Sequence, residues 1–171
     1  MTEWHVQCGD ILNVQAEVLV CSANPYLTLS GGVGGALLQK YGDVMQEQLQ
    51  QYLAERNVRH VEPGTIVSMD GGGTPYTAIL HAVAVDVFYD SNVSLVRELV
   101  YQLLEISNEL GANRVALPAL ATGYGKLAMA QFADALVPLV QNDFGAKHVI
   151  VCLRQEADAE VVRDAITPKS A

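Results

Sequence analysis

The chain has 171 residues, half of them apolar and 17% charged, with a mean hydropathy of +0.20. That length and composition give one domain with a single sizeable core and exclude disorder. Ten Lys and Arg against 19 Asp and Glu leave a net charge of −9, which excludes a broad nucleic-acid footprint and docking on anionic lipid, but not a small anion held by a few well-placed donors.

Hydrophobic period alternates along the chain between short β-rich runs and helical stretches. Glu3–Cys8 and Val18–Ser22 are predicted strands, and Gly35 to about Asn57 is a predicted helix with Leu37, Leu38, Tyr41, Met45, Leu49, Tyr52 and Leu53 at helical spacing. Two strands follow, Gly64–Met69 and Tyr76–Val85, and the Gly71-Gly72-Gly73 run between them reads as a hairpin connection without function. The stripe Val96, Leu99, Val100, Leu103 and Leu110 predicts a helix over Val93–Leu110, with Gly111 as its left-handed stop. After a strand at Arg114–Leu117, a helix starts near Leu127 with Met129, Phe132, Ala133, Leu136 and Val140 on one side. Pro138 must kink or end it. Lys147–Leu153 is the last strand and Asp158–Ile166 the last helix. Continuously apolar runs such as Val149-Ile150-Val151-Cys152-Leu153 fit strands covered on both faces, so the reading is one α/β domain over residues 1–171 with a mostly parallel sheet.

No run approaches the roughly 18 apolar residues of a transmembrane helix. The start Met1-Thr2-Glu3-Trp4-His5 lacks the regions of a signal peptide, so the expected location is the cytoplasm. Cys8, Cys21 and Cys152 lie far apart in apolar runs and are expected to be buried reduced thiols. His5, His60, His81 and His148 show no ligand spacing, so no metal is expected, and nothing calls for a cofactor.

Nine of the 14 glycines fall in three clusters. Besides 71–73, these are Ser30-Gly31-Gly32-Val33-Gly34-Gly35 and Thr122-Gly123-Tyr124-Gly125, each read as a turn between a strand and a helix N-terminus. Glycine permits close approach and positive φ, while free N–H groups and the helix dipole favour an anion. Two such turns at one sheet edge could enclose a pyrophosphate with neutral donors, which reconciles phosphate binding with an acidic chain. Neither fits a known nucleotide fingerprint, because Leu37 stands where a dinucleotide motif needs its third glycine and Gly125-Lys126 is followed by Leu127 rather than Ser or Thr. Asp10, after the first strand, is either a turn or cap residue or an acceptor for an exocyclic amine. Asn24, before Pro25, is either a turn asparagine or an amide fixed at a strand tip for a ribose hydroxyl. Tyr124 could pack on a sugar, and Lys126 reads as a solvated loop lysine, with a phosphate contact as the lesser alternative.

The order of these pieces resembles the macrodomain family, whose members bind ADP-ribose. The matching segments are Gly9-Asp10-Ile11, Val20-Cys21-Ser22-Ala23-Asn24, Gly31-Gly32-Val33-Gly34-Gly35-Ala36, Pro63-Gly64-Thr65, Ile79-Leu80-His81-Ala82-Val83, Leu117 through Gly125 and the 149–153 strand. The resemblance implies a three-layer α/β/α sandwich around a mixed, mostly parallel sheet of about six strands. It implies that Asp10 binds the adenine amine with Ile11 beside it, that loops 31–35 and 122–125 flank the diphosphate, and that Asn24 and Tyr124 lie at the distal ribose. Hydrolase branches of the family often carry an aspartate in the first loop where this chain has Gly34, the second loop is one residue shorter than the commoner pattern, and Arg154 stands where many members place an aromatic over adenine. A guanidinium can stack on a base, so binding survives that change.

Two functions follow with equal weight. One is recognition of ADP-ribose or a terminal ADP-ribosyl group on a protein without catalysis. The other is slow hydrolysis of an ADP-ribosyl ester, with Asn24 or the substrate's own phosphate activating water. An NAD-dependent oxidoreductase is a distant third, since it shares strand–glycine–helix architecture but would need the missing fingerprint.

Overall fold

The computed structural model describes residues 1–170. In chain order the elements are β1 (Glu3–Cys8), a single 3-10 turn (Ile11–Asn13), β2 (Val18–Ala23), α1 (Gly32–Tyr41), α2 (Val44–Glu55), β3 (Ile66–Asp70), β4 (Ala78–Val83), α3 (Val93–Glu109), β5 (Arg114–Leu117), α4 (Met129–Leu136), β6 (His148–Leu153) and α5 (Glu156–Ile166). The six strands form one sheet in the order β1-β6-β5-β2-β4-β3, with every neighbouring pair parallel except β3 and β4.

Burial separates centre from edge. Every residue of β4 is buried, as are the first four of β2 and the last five of β6, whereas the edge strands β1 and β3 contain exposed positions. This is why the central strands read as unbroken apolar runs. One face, through Val20, Leu80, Leu117 and Val151, packs against Leu99 and Leu103 of α3, Phe132 of α4 and Val162 of α5. The other, through Leu19, Cys21, Ile79 and Ile150, packs against Leu37 of α1 and Leu49 of α2. The result is the expected three-layer sandwich. Among the described residues, no helix is long and apolar enough to cross a membrane.

Three expectations need correction. The helix expected over Gly35–Asn57 is two helices, because Gly42 adopts φ +82° and donates its N–H back to Leu38 O, ending α1 before Asp43 precedes α2. α1 also starts earlier, at Gly32, inside the glycine cluster itself. Cys8 is exposed at the end of an edge strand, while Cys21 and Cys152 are buried. Burial pushes the Cys21 thiol up to about 12, so it is an inert core group. Pro138 does stop a helix, two residues beyond the end of α4.

Candidate functional site

The chain leaves β2 towards α1 and β4 on one side, and leaves β5 towards α4 and β6 on the other. Strands β2 and β5 are neighbours, so their C-terminal ends open a crevice where the winding reverses direction, the usual ligand position of an open parallel sheet. A cleft of about 1130 Å³ lies there. Across the sheet edge its lining comes from Asp10 after β1, Arg154 after β6, the 122–125 loop after β5, Asn24 and residues 31–34 after β2, and Tyr89 beyond β4.

Twelve of the thirteen residues singled out in the sequence line this cleft: Asp10, Ile11, Asn24, Gly31, Gly32, Val33, Gly34, Thr122, Gly123, Tyr124, Gly125 and Arg154. Gly35 does not, and its N–H is spent inside the loop, donating to Gly31 O at 2.8 Å.

The first loop is shaped by positive φ at Gly31 (+63°) and Gly32 (+52°), which turn the chain into α1. The N–H groups of Gly32, Val33 and Gly34 head that helix, so the first backbone bond is made only by Gly35. Among the described residues these three amides have no acceptor. Gln46 of α2 holds the approach to the loop from behind, accepting from Leu29 N–H at 2.6 Å and donating to Leu27 O at 3.0 Å. No sequence signal marked Gln46, which read as one more polar position on a helix.

The second loop turns on Ala121 (φ +65°) and closes with Leu127 N–H donating to Ala121 O at 3.1 Å. Gly125 packs so tightly on Ala121 that a Cβ there would collide with its carbonyl oxygen. Thr122 Oγ1 donates to Ala119 O at 2.8 Å, and the N–H groups of Thr122, Gly123, Tyr124 and Gly125 have no acceptor among the described residues. The expectation of a helix N-terminus here is corrected: α4 starts only at Met129, so these amides act as a loop and not as a helix end. The loops touch, since a Cβ on Gly31 would lie 2.5 Å from the Tyr124 ring.

The side chains divide between structural and free roles. Asp10 Oδ1 accepts from Leu12 N–H at 2.9 Å and caps the 3-10 turn. Asn24 is a turn asparagine: its Oδ1 accepts from Tyr26 N–H at 3.0 Å and Thr28 N–H at 3.3 Å, and its Nδ2 donates to Thr28 O at 2.9 Å. With both acceptor positions used, it keeps one N–H to offer and no lone pair to take a proton. Lys126 pairs with Asp90 at 2.9 Å and lies outside the cleft lining. Tyr124, 74% exposed, tilts against Tyr89 with ring centroids 6.5 Å apart. Tyr89 also went unread in the sequence. Its loop is built by Asp86, whose Oδ1 accepts from Phe88 and Asp90 N–H at 2.8 and 2.9 Å. The charged lining residues are Asp10, Arg154 and Asp158, so the free hydrogen-bond donors of this cleft are chiefly backbone amides.

A family model described as Macro domain matches residues 20–136. The chain belongs to the macro domain family. Among curated relatives, a protein named O-acetyl-ADP-ribose deacetylase from Cronobacter sakazakii is 31% identical over 146 residues, spanning 82% of this chain and 77% of that protein. An uncharacterized protein from Aeropyrum pernix is 31% identical over 155 residues, spanning 88% and 78%. Among solved structures, the Oceanobacillus iheyensis macrodomain with ADP overlays at a TM-score of 0.83 and 21% identity, covering 93% of this chain and 87% of that one. The Trypanosoma brucei macrodomain in complex with ADP-ribose overlays at 0.78 and 15% identity, covering 96% and 69%. At such identities the overlays speak for the fold alone.

Gly34, at the head of α1, is the residue that the sequence resemblance set against an aspartate. It is buried, and a Cβ there would stand 3.2 Å from Leu29 Cδ2 and 3.4 Å from Leu29 Cα. A side chain at this position would press on the loop that Gln46 holds.

Proposed function

We propose that this macro domain binds ADP-ribose, free or as a terminal group on a protein, with the diphosphate gripped by main-chain amides of both glycine loops. The observation that carries the reading is the pair of loops in one cleft, presenting the unpartnered N–H groups of Gly32, Val33, Gly34 and Thr122 through Gly125. Such donors bind an anion in a cleft whose one cationic side chain, Arg154, stands on the β6 side, away from the 31–34 loop after β2. The order along the sheet edge supports the orientation. Asp10 and Arg154 follow the adjacent strands β1 and β6, so adenine lies there, the amine on Asp10 and the base against the guanidinium. Asn24, Tyr124 and Tyr89 border the β2–β4 side, where the distal ribose lies. The ligands named for the Oceanobacillus and Trypanosoma macrodomains agree with this chemistry.

A second reading, hydrolysis of an ADP-ribosyl ester, is favoured by the deacetylase name of the Cronobacter relative. Gly34 supplies no base and Asn24 has no free acceptor, so water would be activated by the substrate's phosphate while loop amides stabilise developing charge. A missing general base costs roughly 10²–10⁴-fold in rate.

Calorimetric titration with ADP-ribose, ADP, AMP and NAD tests the binding reading, with ADP-ribose expected to bind tightest and AMP weakest. No heat at millimolar ADP-ribose removes it. Product analysis after long incubation with O-acetyl-ADP-ribose separates the two readings: free acetate above the no-protein control establishes hydrolysis, and its absence leaves a binding module.

A further inference from the structure

At the opposite end of β1 and β6 from the cleft, three side chains converge. Glu3 and His5 occupy alternate positions of β1 and therefore share one face of it. Parallel pairing sets His148, the first residue of β6, directly beside Glu3. His5 Nε2 stands 3.0 Å from His148 Nδ1, while Glu3 Oε2 lies 3.3 Å from His148 Nδ1 and 3.7 Å from His5 Nε2. Backbone bonds fix the strands around them, Glu3 N–H donating to Lys147 O at 2.8 Å and His148 N–H to Asn113 O at 2.9 Å.

Protons satisfy this triangle only in part. A neutral imidazole carries one N–H, so His148 Nδ1 can donate to Glu3 or to His5 but not to both. If His5 is the donor instead, a bare His148 lone pair faces a carboxylate. One cation answers all three atoms together. Tetrahedral zinc, with bonds of about 2.0–2.2 Å to nitrogen and oxygen, spaces its ligand atoms about 3.3–3.5 Å apart. The observed separations of 3.0, 3.3 and 3.7 Å bracket that spacing.

We propose that Glu3, His5 and His148 bind a zinc-class divalent cation, with water completing its coordination. Two imidazoles and one carboxylate suit zinc, cobalt, nickel or copper and not magnesium or calcium, which take oxygen ligands. The site lies about 20 Å along the strands from the ligand cleft, at roughly 3.3 Å per residue. The cation is thus a clamp that pins the edge strand β1 to β6 and takes no part in ligand chemistry. Spacing in the sequence could not reveal it, because His5 and His148 are 143 positions apart.

The test uses the untagged chain, stripped with chelator and dialysed. Calorimetric titration with Zn²⁺ is expected to give saturable binding of one ion per chain. Co²⁺ is expected to give the visible absorption bands of a low-symmetry site, and the thermal midpoint to rise with zinc concentration. His5→Ala and His148→Ala each remove a direct ligand and should weaken zinc binding at least as much as the roughly 10–100-fold seen for supporting residues. Cys8→Ser should leave it unchanged, which excludes the exposed thiol as the ligand. The proposal is overturned by an absence of saturable binding below millimolar zinc, by affinity that survives both histidine substitutions, or by affinity lost in Cys8→Ser.

Discussion

At Asp10, one carboxylate oxygen is committed to Leu12 N–H and the other has no partner among the described residues. The two duties separate in a conservative substitution, because Asn caps a turn as well as Asp does while offering a neutral acceptor and an added N–H. Hydrogen bonds to charged groups contribute about 1.5–3 kcal/mol against about 1 for neutral ones. Asp10→Asn should therefore weaken ADP-ribose binding about tenfold and leave the thermal midpoint in place. The analogue with hypoxanthine in place of adenine presents a carbonyl oxygen instead of the amine, an acceptor that the carboxylate repels and the substituted amide N–H can bond, so its affinity should rise rather than fall in Asp10→Asn; calorimetry on both ligands checks this. Gly125 offers a backbone counterpart. A Cβ there meets Ala121 O, a main-chain atom that cannot rotate away. Gly125→Ala should thus shift the second loop and reduce ADP-ribose affinity by tenfold or more, while the half-buried loop position, outside every helix and strand, keeps the fold intact by circular dichroism. Full affinity in that variant would show that the loop amides do not grip the ligand.

Elements add what no single side chain supplies. α2 makes no hydrogen bond to the free amides of the glycine loops, yet its Gln46 ties down Leu27 and Leu29, and Leu29 in turn packs against Gly34 at the head of α1. Removing it orphans a donor and an acceptor at about 1–3 kcal/mol each. Gln46→Ala should lower stability by about 2 kcal/mol in urea titrations and weaken ADP-ribose binding as well. Gln46→Glu, which keeps the acceptor for Leu29 N–H, should recover part of both. This division also marks how far the sequence was legible. Buried parallel strands announce themselves as apolar runs, and glycine loops after strands announce themselves by composition, so the sandwich and both glycine loops of the candidate cleft were readable. Gln46, Tyr89 and the His5–His148 pair were not, because each acts through a partner that only the tertiary fold brings near. The break at Gly42 was present as a Gly-Asp pair but was masked by a continuous apolar stripe on both sides.

At the scale of the molecule, the sheet buries a histidine whose packing leaves it neutral. His81 lies fully buried in β4, beside Cys21 of β2 and Val67 of β3, with neither ring nitrogen bonded. It is absent from the cleft lining and takes no part in the proposed binding. Burial lowers its pKa from 6.5 to about 4. Between those values the unfolded chain binds a proton that the folded chain does not, so stability falls as the pH drops from 6.5 towards 4. A difference of about 2.5 units corresponds to a loss on the order of 3 kcal/mol once the pH reaches 4. Carboxylates also titrate in this range, so wild type alone does not isolate the effect. His81→Leu keeps an apolar side chain of similar size at the site and removes the titration. Urea midpoints at pH 7.5, 6.5, 5.5 and 4.5 should therefore diverge progressively, with wild type losing stability faster than the variant on acidification and the two profiles running parallel above pH 7. Parallel profiles throughout would mean that His81 is solvated or hydrogen-bonded in solution, and that the sheet centre is less closed than its packing indicates.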